Sequence, residues 1–173
     1  MVHSVELVFD PDTDAAVRQI WDDLAAAGVR SQAAHTSASN RPHLTLAVAE
    51  QLDDGVNGAL SQTVQRLPLD CCVGAPMLFG AGSFVLVRLV VPSTELLSLH
   101  AEVHRIGLAH ARRGLLAHAC PGQWTPHVTL ARRVPASQLA TAMTVDGLGR
   151  EIWGTAVGLR HWDGDSKTEY PIS

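Results

Sequence analysis

The chain contains no uninterrupted apolar run approaching the roughly 18 residues that a membrane helix needs, so a helical span is excluded. Its start, MVHSVELVFDP, carries neither a basic segment nor a long apolar stretch and does not read as a secretory signal. Cysteine is scarce: Cys71, Cys72 and Cys120 cannot all pair, and adjacent cysteines rarely bridge each other. Reduced thiols in a cytoplasmic protein are therefore expected. Basic charge is short too, at a net −4. Gripping long duplex nucleic acid requires the neutralisation of many phosphates, so no such partner is expected, although a few arginines can still hold a small anion. Among 13 basic residues Lys167 is the single lysine, a bias to which we attach no function.

Apolar material, by contrast, is plentiful. Hydrophobic residues make up 46% of the 173, enough for one compact domain. HSVELVFD (3–10) alternates around Val5, Leu7 and Phe9 and predicts a strand. Asp12 or Thr13 is placed to cap a helix carrying Val17, Ile20, Trp21, Leu24 and Ala27 and stopping at Gly28. A polar stretch (31–40) leads to a second strand, RPHLTLAVAE. A helix from Asp53–Asp54 to about Leu67 and a broken strand over 69–79 follow.

The same order then recurs. A strand over 83–92 precedes a helix capped by Ser93 or Thr94, and a Gly- and Pro-rich loop (114–126) leads into the strand PHVTLARRV. A short helix with Pro135 near its first position and two strands around a Gly164 turn close the chain. The fold class predicted is α+β: a bilobal pseudo-two-fold repeat of antiparallel sheets with outer helices and a central cleft. It forms a single domain over 1–173, its halves running to about 80 and from about 81.

At the centre of each half lies one hexad. Pro42-His43-Leu44-Thr45-Leu46-Ala47 and Pro126-His127-Val128-Thr129-Leu130-Ala131 agree at five of six positions and begin 84 residues apart (126 − 42). Nine histidines make a single His-x-Thr match unremarkable by chance, but two copies in matching contexts are a specific signal. Side chains alternate along a strand, so His43 shares a face with Thr45, and His127 with Thr129. Leu44, Leu46, Val128 and Leu130 face the other way, into a core. A pseudo-two-fold axis then brings two imidazoles and two hydroxyls together.

That set suits phosphodiester hydrolysis without a metal or other cofactor. Histidine titrates near 6.5, so one ring can accept a proton while the other donates one. Each transfer is worth about 10²–10⁴-fold. Threonine hydroxyls can donate to phosphate oxygens and an arginine can balance developing charge. Arg133 has the strand parity of His127; Arg132 needs a bulge to share it, and Arg41 lies beside the first hexad. Trp124 and Phe9 are candidates for stacking a base, with core packing the stronger reading for Phe9.

The paired PHLTLA and PHVTLARR resemble the two motifs of the two-histidine (2H) phosphoesterase superfamily, nearest to its bacterial 2′-5′ RNA ligase branch, across both halves of the chain. The resemblance implies a bilobal fold acting on 2′,3′-cyclic or 2′-5′ linkages in RNA ends or small nucleotides. It implies His43 as acid to a leaving 3′-oxygen, His127 as base, and Thr45, Thr129 and Arg132 as phosphate ligands. AVAE after Leu46 departs from that branch, which leaves the substrate open. The expected form is a monomer.

Rival readings attach to several of these residues. A non-catalytic nucleotide- or RNA-end-binding module of the same fold is the alternative function, against which both intact His-Thr pairs weigh. RNA-end ligation is disfavoured because no lysine or Gly-rich loop suggests nucleotide activation. His100 and His104 have metal-pair spacing without a third ligand, and a solvated helix face is the expectation. His3, His35, His110, His118 and His161 are expected on surfaces or loops, and Cys71 and Cys72 as buried thiols.

Overall fold

Twelve residues near the end of the chain, Ile152–Asp163, form the longest strand of the computed structural model, which describes residues 2–173. Both lobes are built on it. In chain order the elements are β1 (His3–Phe9), α1 (Pro11–Ala26), β2 (His43–Ala49), α2 (Gly55–Leu60), β3 (Leu69–Phe79) and β4 (Ser83–Val90). Then come α3 (Thr94–His110), β5 (His127–Pro135), α4 (Ala136–Met143), β6 (Ile152–Asp163) and β7 (Thr168–Ile172). The start of β6 pairs with β3, and its remainder pairs with β1 on one edge and β7 on the other. The order is β2-β1-β6-β3-β4-β5 with β7 beside β6, every neighbour antiparallel. The fold is α+β, as the alternation predicts.

The helices cross between lobes. Trp21 of α1 donates its indole N–H to the Thr129 carbonyl of β5 at 3.1 Å. Trp124, which follows α3, does the same to the Thr45 carbonyl of β2 at 3.0 Å. The segment after each helix also bridges the edge it covers, Ser31 against Ala131 and Leu115 against Ala49. Leu44, Leu46, Val128 and Leu130 are buried beneath those helices, each worth about 1.5–3 kcal/mol on transfer from water. The two edge strands, β2 and β5, approach each other across the groove between the lobes.

Several local expectations are corrected. The cap of α1 is Asp10, which accepts from the Asp12 and Thr13 amides, leaving both earlier candidates inside the helix. Its other oxygen takes the Thr13 hydroxyl and the Thr155 amide, clamping α1 to β6. That approach is so close that a Cβ on Gly154 would overlap the Thr13 hydroxyl, so the position takes glycine. The helix after Asp54 ends at Leu60 and continues as a 3₁₀ turn to Arg66. Pro135 lies at the N-cap of α4.

The broken strand at 69–79 is one strand with a bulge, since Val73 pairs with Val90 but Pro76 with Arg88. The fully buried Arg88 guanidinium holds that bulge through the Gly74 and Val73 carbonyls. Among the described residues no helix is long and apolar enough to cross a membrane.

Candidate active site

His43 and His127 open β2 and β5, where a preceding proline costs no ladder hydrogen bond. Each ring is tethered identically. His43 Nδ1 lies 2.8 Å from the Arg41 carbonyl, and His127 Nδ1 lies 2.7 Å from the Thr125 carbonyl. A carbonyl only accepts, so each Nδ1 carries the proton and each Nε2 is presented to the groove, bare in a neutral ring.

After each threonine the strand bulges. Glu6 pairs with Thr45 and Val5 with Ala47; Val87 pairs with Thr129 and Leu86 with Ala131. Two residues opposing one reverse the alternation. Arg132 therefore joins the face of His127 and Thr129, and Val48 takes the matching place beside His43 and Thr45. The bulge is what Arg132 required, and Arg133 leaves the strand's parity with a φ of 57°.

The surroundings of the two rings differ. Glu6 Oε1 is 3.7 Å from His43 Nε2. Burial pushes the Glu6 carboxyl up, yet the charges of His43 and Arg160 and hydrogen bonds from Ser4 and Arg160 outweigh it and hold the group below its ordinary range. Arg160 bridges Glu6 at 2.8 Å and Glu169 at 2.5 Å, and Glu169 also takes Arg41 at 2.7 Å. In the other lobe Val87 stands where Glu6 does, and Met77 lies across from it as Arg160 lies across from Glu6. The Phe79 ring meets His127 edge-on, centroids 4.9 Å apart. Burial lowers the His127 pKa; the Thr125 carbonyl opposes this, while Arg132, His43 and His118 lower it further. His127 is the ring suited to be neutral, and His43 the one facing an anion.

Other candidates fall outside this set. Phe9 is buried at the end of β1, in the core. Trp124 stacks on His100 at 3.8 Å and 3° with its N–H engaged, so it anchors β2 and that face is closed to a base. Arg41 is committed to Glu169 through both carboxylate oxygens. His100 is not on a solvated face: it is buried, with Nε2 2.9 Å from the Ala119 carbonyl. His3 and His161 are likewise buried, 3.1 Å apart. Cys71 and Cys72 are buried, and burial, with the Asp10 charge, pushes the Cys71 thiol up to about 12.

Sequence reasoning missed Glu6 and Arg160. The available signal was a lone glutamate on the face of β1 opposite Val5 and Leu7, beside the strand that carries His43.

A model described as the 2′-5′ RNA ligase superfamily matches residues 9–165. Among solved structures, the apo form of E. coli LigT matches at 15% identity with a TM-score of 0.54, covering 99% of this chain and 94% of its own. E. coli LigT complexed with phosphate gives 14% and 0.53, covering 99% and 93%. Kluyveromyces marxianus Usb1 gives 11% and 0.54, covering 99% and 97%. At these identities the likeness is one of fold. No curated protein matches the chain.

Proposed function

Because the chain belongs to the 2′-5′ RNA ligase superfamily, a family of two-histidine phosphoesterases, we propose that it is a metal-independent phosphodiesterase. Its substrate is a 2′,3′-cyclic phosphate, at an RNA end or on a small nucleotide, or a 2′-5′ linkage. The observation that carries this reading is the matched tether: two histidines from two edge strands, each fixed through Nδ1 to the carbonyl two residues before it.

In the proposed reaction on a cyclic phosphate, neutral His127 takes a proton from water as its oxygen bonds to phosphorus. His43, protonated, gives its proton to the departing 3′-oxygen, and a 2′-monoester remains. Thr45 and Thr129 donate to the non-bridging oxygens, and Arg132 offsets the charge that develops on them. The burial that keeps His127 neutral and the carboxylate beside His43 support this division of labour. The phosphate complex of E. coli LigT, a protein of the same fold, is in keeping with an oxyanion as a ligand of this fold.

The test is turnover of the four nucleoside 2′,3′-cyclic monophosphates and of RNA with a cyclic end, in the presence of EDTA. His43→Ala and His127→Ala should each lose about 10²–10⁴-fold in kcat with unchanged circular dichroism. Retained activity in both variants sinks the proposal. Tight retention of these ligands by the native protein without any turnover would favour a binding module.

A further inference from the structure

The strand β5 ends in an arrangement that the other lobe lacks. One bulge, after the threonine, recurs in both lobes, but β5 carries a second. Leu86 pairs with Ala131 and Phe84 with Val134, so Arg132 and Arg133 together oppose the single residue Val85. In β2 the matching stretch stays regular, with Val48 against Ser4 and Ala49 against His3. The second bulge is therefore no requirement of the repeat.

Its geometry decides the face on which the two arginines lie. Ala131 and Val134, on either side of them, are buried in the core. The two residues between have left that face for the opposite one, the groove face that Thr129 shares. Both are exposed. Arg133 reaches its position with a φ of 57°, left-handed backbone that glycine adopts freely and an arginine only at a cost. Such a cost beside a site points to a use for the side chain that bears it.

A third arginine joins them. Ser31 bridges Ala131 in the antiparallel sense, which sets Arg30 alongside Arg132. Other arginines of this chain are tied internally: Arg18 to Asp14, Arg41 and Arg160 to Glu169, Arg66 to Glu102, Arg113 to Glu50. Among the described residues, no hydrogen bond or ion pair engages the guanidinium of Arg30, Arg132 or Arg133. The chain has 17 acidic side chains, yet this cluster is left without one. Neighbouring like charges repel, so an anion placed among them is favoured.

One anion is already assigned: Arg132 balances the phosphate that reacts. Arg133 lies opposite Val85, two residues of β4 beyond the Val87 that pairs with Thr129, about 7 Å along the strand. A single ribose carrying phosphates on its 3′ and 5′ oxygens bridges a step of that size. We propose that Arg133, with Arg30, binds a second phosphate, the one on the 5′ oxygen of the nucleoside whose cyclic phosphate reacts. The preferred substrate is then a 5′-phosphorylated cyclic end and not a bare nucleoside cyclic phosphate. This rests on the groove holding a cyclic phosphate, as in the reaction proposed above.

The test is calorimetric titration of full-length His127→Ala, which lacks the base and so leaves its ligands intact. Three ligands of one base are compared: the nucleoside 2′,3′-cyclic phosphate, the same compound phosphorylated at its 5′ oxygen, and a dinucleotide ending in the cyclic phosphate. The 5′-phosphorylated compound should bind about 10–100-fold more tightly than the bare one, as charge-assisted contacts to phosphate do. That gain should shrink as salt rises. Arg133→Gly on the same background should bring the ratio to within about 3-fold and keep the urea midpoint, because glycine adopts the same φ. Arg30→Ala, at an exposed position, should lower the ratio by about 3–10-fold. An equal gain for the dinucleotide identifies an RNA end as the source of the second phosphate, and a gain for the 5′-monophosphate alone identifies a small nucleotide. Equal affinity for the bare and the phosphorylated compounds overturns the proposal, as does a preference that survives Arg133→Gly and Arg30→Ala together. Failure of every ligand to bind is a different result, which overturns the reading of the groove along with it.

Discussion

At the start of β2, His43 looks onto a buried carboxylate; at the start of β5, His127 looks onto an aliphatic strand, a phenyl edge and an arginine. The backbone devices are the same on both sides: a proline before the ring, a tether from Nδ1, a bulge after the threonine and an indole bonded to the threonine carbonyl. What differs is the neighbour on the adjoining strand, Glu6 against Val87, and the residue beyond the bulge, Val48 against Arg132. A symmetric backbone supplies two equivalent positions, and a few unpaired side-chain choices make one ring suited to give a proton and the other to take one. A phosphodiester has two different ends, so that inequality is what the proposed reaction needs.

The comparison can be broken at its most unequal pair first. Arg132→Ala should lower kcat by about 10²–10³-fold, as loss of a donor to a developing oxyanion does. The matching Val48→Ala should change it by no more than about 3-fold, since it removes packing and no charge. Equal effects in steady-state assays would mean that the two sides contribute alike.

Glu6→Gln comes next. It keeps the volume and removes the anion beside His43, and should lower kcat about 10-fold on a cyclic nucleotide with little effect on KM. The loss should shrink on a diester with a nitrophenolate leaving group, which departs without a proton. The His127→Ala defect should persist on that substrate, because the water must still be deprotonated. A Glu6→Gln defect of the same size on both substrates would assign Glu6 a purely structural role with Arg160.

The pH behaviour follows from burial. His127 titrates below the ordinary 6.5 in the folded chain, and buried His100 does the same, lowered first by burial. Between 6.5 and those depressed values the unfolded chain binds more protons, so stability is full above 6.5 and declines as pH falls through the folded values. Urea unfolding between pH 7.5 and 5 should show midpoints that decrease with acidification. An NMR titration of the His127 ring should have its midpoint below 6.5, and a midpoint above it would contradict the assignment of His127 as base.

The smallest effect is expected where the lobes are most alike. Trp21→Phe and Trp124→Phe each remove one indole hydrogen bond and should cost a similar ~1 kcal/mol in denaturant unfolding. Trp124→Phe should also leave binding of a cyclic nucleotide within about 2-fold, because that ring packs on His100. A large loss of affinity would return Trp124 to the substrate.

Much of this molecule was legible from local pattern. Alternation located β1, β2, β4 and β5, helical spacing located α1 and α3, and the duplicated hexads carried His43, Thr45, His127 and Thr129 onto matched strands. These are properties of near neighbours along the chain, and near neighbours are what a sequence displays. The companions of those residues are another matter. Arg132 turns to the groove only because two residues of β5 oppose one of β4, and a bulge exists only in relation to a partner strand. Glu6 meets His43, and His3 meets Asp163, through pairings between segments tens to more than a hundred residues apart. The crossing of α1 onto β5, which makes Trp21 and Trp124 counterparts, likewise follows from closure of the two lobes. The sequence by itself determined which groups the proposed chemistry uses and that they come in two copies. Only the tertiary structure decided how the copies differ, because charge and burial at each ring are set by side chains that reach it through space.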